Sequence, residues 1–131
     1  KGVIDTIDIN EELQEIQNKF FLKSGHANQI NQYIGNALDI IPTINKKFDL
    51  VFLDADKENY INYFELVIDK ISPGGILISD NVLWSGKVIE NKKNDLTTRK
   101  LIEFNRLINN DKRIETVIFP VRDGLSISRK I

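Results

Sequence analysis

The sequence predicts an α/β fold: an open sheet of mixed strand direction, ending in an antiparallel hairpin. Three observations predict it. Strand-like and helix-like segments alternate along the chain, as they do where parallel strands are joined by helical crossovers. Two apolar runs, Leu50 to Leu53 and Ile76 to Ile78, each pass directly into acid, at Asp54-Ala-Asp56-Lys57 and at Ser79-Asp80-Asn81. Near the end, Asp123-Gly124 lies between two strand-like stretches and suits a tight hairpin turn. A chain of 131 residues accommodates one domain with a core of useful size.

Val3 to Ile9 reads as the first strand. Glu11 to Ser24 follows as a helix with Leu13, Ile16 and Phe20 on one face, and Gly25 stops it. Ile30 to Ile34 is a short strand, after which Gly35-Asn-Ala-Leu leads into a helical turn ending near Pro42. Asp49 to Leu53 has the composition of a buried strand, and beyond it Tyr60, Phe64, Val67 and Ile71 keep helical spacing. Ser72-Pro-Gly-Gly is expected to turn the chain into the strand Ile76 to Ser79. A polar loop over 90–94 precedes a helix from about Leu96 to Asn109, with Leu101, Phe104 and Ile108 inward. Glu115 to Pro120 and Leu125 to Lys130 complete the hairpin.

Composition narrows the chemistry. There is no cysteine, which excludes disulfides, thiolate nucleophiles and cysteine-held metals, and the single histidine, His26, lies in a polar loop. Any metal must therefore be held by oxygen. A net charge of −1, with basic pairs scattered along the chain, gives no electrostatic ground for a nucleic-acid partner. No apolar run approaches the roughly 20 residues that span a bilayer, so a soluble, cytoplasmic protein is expected. The chain lacks methionine and opens directly on a strand, so it is expected to be part of a longer protein. The seven glycines form no Gly-x-Gly phosphate loop.

In an open parallel sheet the carboxyl ends of the strands line the ligand crevice. Asp54, Asp80 and Asn81 would meet there, and two carboxylates with an amide oxygen suit a hard cation such as magnesium, manganese or calcium. Strand ends also surface into charged loops with no role at all, but two such ends would repel one another without a cation between them. Beside a cation, a lysine such as Lys57 is placed to act as a base; the alternative is a surface lysine at a helix start. Asp8, at the end of the first strand, either favours a helix N-terminus or binds ribose hydroxyls. Trp84, the only tryptophan, either walls a planar substrate or packs as core, and Tyr60 and Tyr63 read as helix-packing residues.

At these residues the sequence resembles the cation-dependent O-methyltransferases that use S-adenosylmethionine (SAM), the group that includes the catechol and caffeoyl-coenzyme A enzymes. The matching stretches are Thr6 to Asn10, Gly35 to Leu38, Phe48 to Tyr60, Pro73 to Lys87 and Pro120 to Leu125, in family order along nearly the whole chain. The resemblance implies a class I, Rossmann-like methyltransferase sheet and a set of roles. Asp54, Asp80 and Asn81 match metal ligands. Asp8 matches the acid that holds the cofactor ribose, Ala37 a position at the adenine end, Asp56 a cofactor-side acid, and Tyr63 a position near the cofactor. Lys57 matches a proposed base, and Trp84 and Ser85 fall toward the substrate. The implied reaction transfers a methyl group from SAM to a hydroxyl of a catechol-like acceptor, with a divalent cation bound.

One departure accompanies the agreement. The family's N-terminal helices, first strand and glycine-rich cofactor loop have no counterpart here, so the chain matches the C-terminal portion of a single O-methyltransferase domain over 1–131. It is expected to bind SAM poorly by itself, which calorimetry would test, while a full-length parent would be active and dimeric. The absent strand should leave a gap in the sheet or force a new pairing. Two other readings stand beside methyl transfer: an aspartate-based phosphotransfer domain, phosphatase-like or receiver-like, and a non-catalytic fragment. A tRNA acceptor is conceivable for relatives of this kind, without support in the charge pattern.

Overall fold

The computed structural model describes residues 2–90 and 95–131; of the polar loop expected over 90–94, all but Glu90 lies outside the described residues. The chain forms two compact units, Lys1–Asn45 and Lys46–Ile131.

In the first unit, strand β1 (Ile4–Asp8) pairs in parallel with β2 (Ile30–Ile34), in register from Ile4 opposite Ile30 to Asp8 opposite Ile34. Between them the expected single helix is two pieces. Glu11–Leu13 is a 3-10 turn, and helix α1 spans Gln14–Lys23. Gly25 ends the excursion at φ +73. The apolar face of this segment is not buried: Leu13, Ile16 and Phe20 are 42%, 52% and 59% exposed. A two-stranded sheet offers too little apolar surface to cover such a helix. After β2, the Asn36 side chain accepts from the Leu38 amide at 2.9 Å and caps helix α2 (Ala37–Thr43).

The second unit holds a four-stranded sheet in the order β3-β4-β6-β5, with β3 (Phe48–Leu53), β4 (Ile71–Asp80), β5 (Ile114–Phe119) and β6 (Leu125–Lys130). β3 and β4 are parallel; β4 with β6, and β6 with β5, are antiparallel, so the expected C-terminal hairpin is present. Helices α3 (Tyr60–Ile68) and α4 (Leu96–Asn110) supply the core, in which Phe104 meets Tyr60 and Phe64 edge-on at 5.2 and 6.5 Å between ring centres. Leu101, Phe104 and Ile108 are buried as their spacing predicts.

Three expectations are corrected here. Ile71 is buried but opens β4 instead of extending α3. Ser72 to Gly75 does not separate helix from strand; these residues belong to β4, whose register with β3 jumps between Phe48 opposite Ile71 and Leu50 opposite Ile76. Glycine at 75 permits the bulge, because a Cβ there would stand 2.8 Å from Ile71 Cγ2 and 3.0 Å from the Asp49 carbonyl. β3 is also not buried on both faces. Leu53 is buried, while Leu50 and Phe52 are each 56% exposed, because β3 has one partner strand and forms an edge of its sheet. Among the described residues neither β1 nor β3 takes up a new pairing: β1 joins β2, and β3 joins β4. Among the described residues, no helix is long and apolar enough to cross a membrane.

Candidate active site

Parallel pairing sets the ends of β3 and β4 side by side, with Leu53 opposite Ser79. The next residues of the two strands, Asp54 and Asp80-Asn81, line one cavity of about 500 Å³. Phe52, Val121, Arg122 and Leu125 complete its lining. The three residues expected to share a cation thus share a wall. Their donor chemistry fits a hard divalent ion: two carboxylates and an amide oxygen, with room for water or substrate oxygens. Among the described residues no three acidic, histidine or cysteine side chains are grouped to hold a metal, so a cation here would need the Asn81 amide as its third protein donor.

Lys57 is not the surface residue its charge suggests. Only 8% exposed, it donates from Nζ to Asp54 Oδ1 at 2.9 Å, to the Ala55 carbonyl at 3.1 Å and to the Tyr60 hydroxyl at 2.7 Å. These three acceptors occupy all three ammonium protons. The Tyr60 hydroxyl in turn lies 2.9 Å from the Asp80 carbonyl and 3.2 Å from the Leu53 carbonyl, so one oxygen joins the lysine to the ends of both strands. Burial, reinforced by the charges of Asp54, Asp80 and Asp56, pushes the Tyr60 pKa far above its ordinary value. Tyr60 therefore remains a neutral donor at physiological pH. Sequence reasoning took it for packing; its ring does pack on Phe104, and its hydroxyl has the further part.

Asp56 lies just outside this cluster, accepting from the Tyr63 hydroxyl and from Asn59 Nδ2, each at 2.5 Å. Burial first, then the bond to Asp56 and its charge, raise the Tyr63 pKa well above the usual range. In the first unit, Asp8 accepts from the Asn10 amide at 2.9 Å and from Gln17 Nε2 at 2.7 Å, bonds that lower its pKa, the Asn10 amide contributing most. Asp8 is thereby fixed at the end of β1. Ala37 opens α2 just after its capping Asn36.

The segment after β4 is strained. Among the described residues the non-glycine positions of positive φ are Asn81 (+57), Trp84 (+49), Ser85 (+52) and Arg122 (+52), three in this segment and one in the β5–β6 turn that docks against it. Val82 and Leu83 donate to the carbonyls of Gly124 and Asp123 at 3.1 and 2.9 Å, and the Ser85 amide donates to the Asp123 carboxylate. Gly124, at φ +83, permits the contact, since a Cβ there would stand 2.4 Å from Leu83 Cγ. Concentrated backbone strain of this kind collects at functional sites. Trp84 is half-buried with Lys87 Nζ 5.9 Å from its ring centre, and Ser85 is exposed. Arg122 and Asp123 were not singled out from the sequence. Their only signal was the Pro120-to-Leu125 stretch, which the Asp-Gly turn already explained.

A Rossmann-like α/β chain with acidic strand ends beside a buried lysine is the architecture of a class I methyltransferase, and comparison with known proteins agrees. A family model described as O-methyltransferase matches residues 1–131, and the chain belongs to that family. Caffeoyl-CoA O-methyltransferase 5 of Nicotiana tabacum is 37% identical over 144 residues, covering 99% of this chain and 59% of the relative. The O-methyltransferase of Bacillus cereus in complex with SAH superimposes with a TM-score of 0.92 at 27% identity, over 99% of this chain and 63% of that one. TomG of Streptomyces achromogenes, an O-methyltransferase in complex with SAM and involved in tomaymycin synthesis, gives 0.92 at 25% identity, over 98% and 62%. The chain thus spans about three fifths of the length of these relatives.

Proposed function

We propose that the whole protein transfers a methyl group from SAM to a hydroxyl of a small catechol-like acceptor with a divalent cation bound. The observation that carries this reading is the shared cavity of Asp54, Asp80 and Asn81, with Lys57 fastened to Asp54. Asp54, Asp80 and Asn81 would hold the cation, and within the same unit Asp56 and Tyr63 would contact SAM. When bound, SAM supplies an electrophilic methyl group and the cation lowers the pKa of an acceptor hydroxyl. Lys57 is fixed by its three acceptors at the cavity edge; to act as the base it would first give up one of these donated protons, and its free lone pair would then take the hydroxyl proton. Phe52, Val121 and Leu125 keep water from the acceptor ring; Trp84 and Ser85 belong to the same side of the site.

Incubating the whole protein with SAM, magnesium and catechol should yield the monomethyl ether, detected by mass spectrometry, and EDTA or Asp80→Asn should suppress it. Transfer undiminished by EDTA would remove the cation from the reading. Beryllofluoride labelling of Asp54 in place of methyl transfer would favour phosphotransfer.

A further inference from the structure

The cavity that Asp54, Asp80 and Asn81 share extends beyond those three side chains. Phe52, Val121 and Leu125 form an apolar wall, and Arg122 stands beside them. Among the described residues no hydrogen bond or ion pair engages the Arg122 side chain, whereas Arg113 and Arg129 are both paired with carboxylates. The nearest acid in sequence, Asp123, is turned to the Ser85 amide. Arg122 also stands at φ +52, where glycine is favoured and any Cβ is strained. The chain therefore keeps an unpaired guanidinium at a position its backbone disfavours, on the rim of the cavity proposed to be catalytic.

Charge makes the guanidinium informative. Asp54 already faces Lys57 at 2.9 Å. With a divalent cation in place and the hydroxyl proton taken up by Lys57, two carboxylates and the acceptor oxyanion stand against a lysine, an arginine and the cation, an excess of one positive charge. We propose that Arg122 selects acceptors carrying a second, permanent negative charge, namely a carboxylate on the same arene as the hydroxyls. The ring would lie along Phe52, Val121 and Leu125, and the carboxylate would take the bidentate pairing that a planar guanidinium offers. This assignment rests on the proposed methyl transfer.

The test compares 3,4-dihydroxybenzoate with catechol as acceptors for the whole protein, in SAM and magnesium. The expected kcat/KM ratio favours the carboxylate by about tenfold or more, and falls as salt is raised. Arg122→Gly relaxes the strained backbone, so folding is not at stake, and should bring the ratio close to one; Arg122→Lys should keep part of it. Calorimetric titration of 3,4-dihydroxybenzoate without SAM should show the same weakening in Arg122→Gly. A ratio near one in the parent protein, or one unchanged by Arg122→Gly, overturns the role of Arg122 while leaving methyl transfer intact. Methylation of neither acceptor overturns both.

Discussion

Replacing Tyr60 by phenylalanine removes one oxygen from the point where the two strand ends and the buried lysine meet. The ring can stay, edge-on to Phe104 at 5.2 Å. What is lost is the 2.7 Å bond from Lys57 and the hydroxyl proton shared by the carbonyls of Asp80 at 2.9 Å and Leu53 at 3.2 Å. A bond to a charged group is worth about 1.5–3 kcal/mol and a neutral one about 0.5–1.5. Tyr60→Phe should therefore cost about 2–4 kcal/mol. Urea unfolding followed by circular dichroism measures this as a lower midpoint at unchanged m. Tyr63→Phe is the control, since its hydroxyl serves a single exposed carboxylate, Asp56, which keeps its bond from Asn59. A Tyr60→Phe cost equal to or below that of Tyr63→Phe would refute the idea that the hydroxyl ties β3 to β4.

Gly124→Ala should destabilise by roughly 2–4 kcal/mol, because positive φ and a close contact with Leu83 act together; chemical denaturation reads it, and wild-type stability would contradict the tight docking of the turn. Asp80→Asn should weaken manganese binding, followed by electron paramagnetic resonance, by about tenfold or more, since a carboxylate lost from the proposed three-donor site would remove charge as well as a ligand. The Asp111 carboxyl is held below its ordinary value mainly by hydrogen bonding from Arg113. A group with a depressed folded pKa contributes stability above its unfolded pKa, near 4, and loses it as pH falls through the lower folded value. Acid titration of stability should therefore slope downward below about pH 4, and Asp111→Asn should flatten part of that slope.

Much of this fold was legible because its signals were local. β6 spans Leu125–Lys130 as the hairpin turn at Asp123-Gly124 implied, α4 starts at Leu96 as expected, and the acids after β3 and β4 stand together because parallel pairing makes them neighbours. The apolar stripe Leu13, Ile16, Phe20 has helical spacing whether or not anything covers it, so exposure was invisible. Ser72-Pro-Gly-Gly reads as a turn from composition, yet glycines that allow a turn also allow a bulge inside a strand. At the site, residue types announced Asp54, Asp80 and Asn81. The hydroxyl of Tyr60 could not be read in the same way, since its partners, Leu53 and Asp80, lie 7 and 20 residues away and offer backbone carbonyls that any sequence possesses. Arg122 was hidden for a similar reason, because neither a dihedral angle nor a missing partner is written in the residue type.

The contact of Gly124 with Leu83 bears on how this pocket could be redesigned. The Leu83 side chain lies directly on the Gly124 backbone, so the spacing of the two loops is set by that one side chain against bare main chain. Acceptor range should therefore respond to substitution at Val121, Arg122 and Leu125, which reach the cavity. Changes at 124 would act as all-or-none lesions, tolerated only when position 83 is made smaller at the same time, so the two positions should behave as an epistatic pair in any library that varies both.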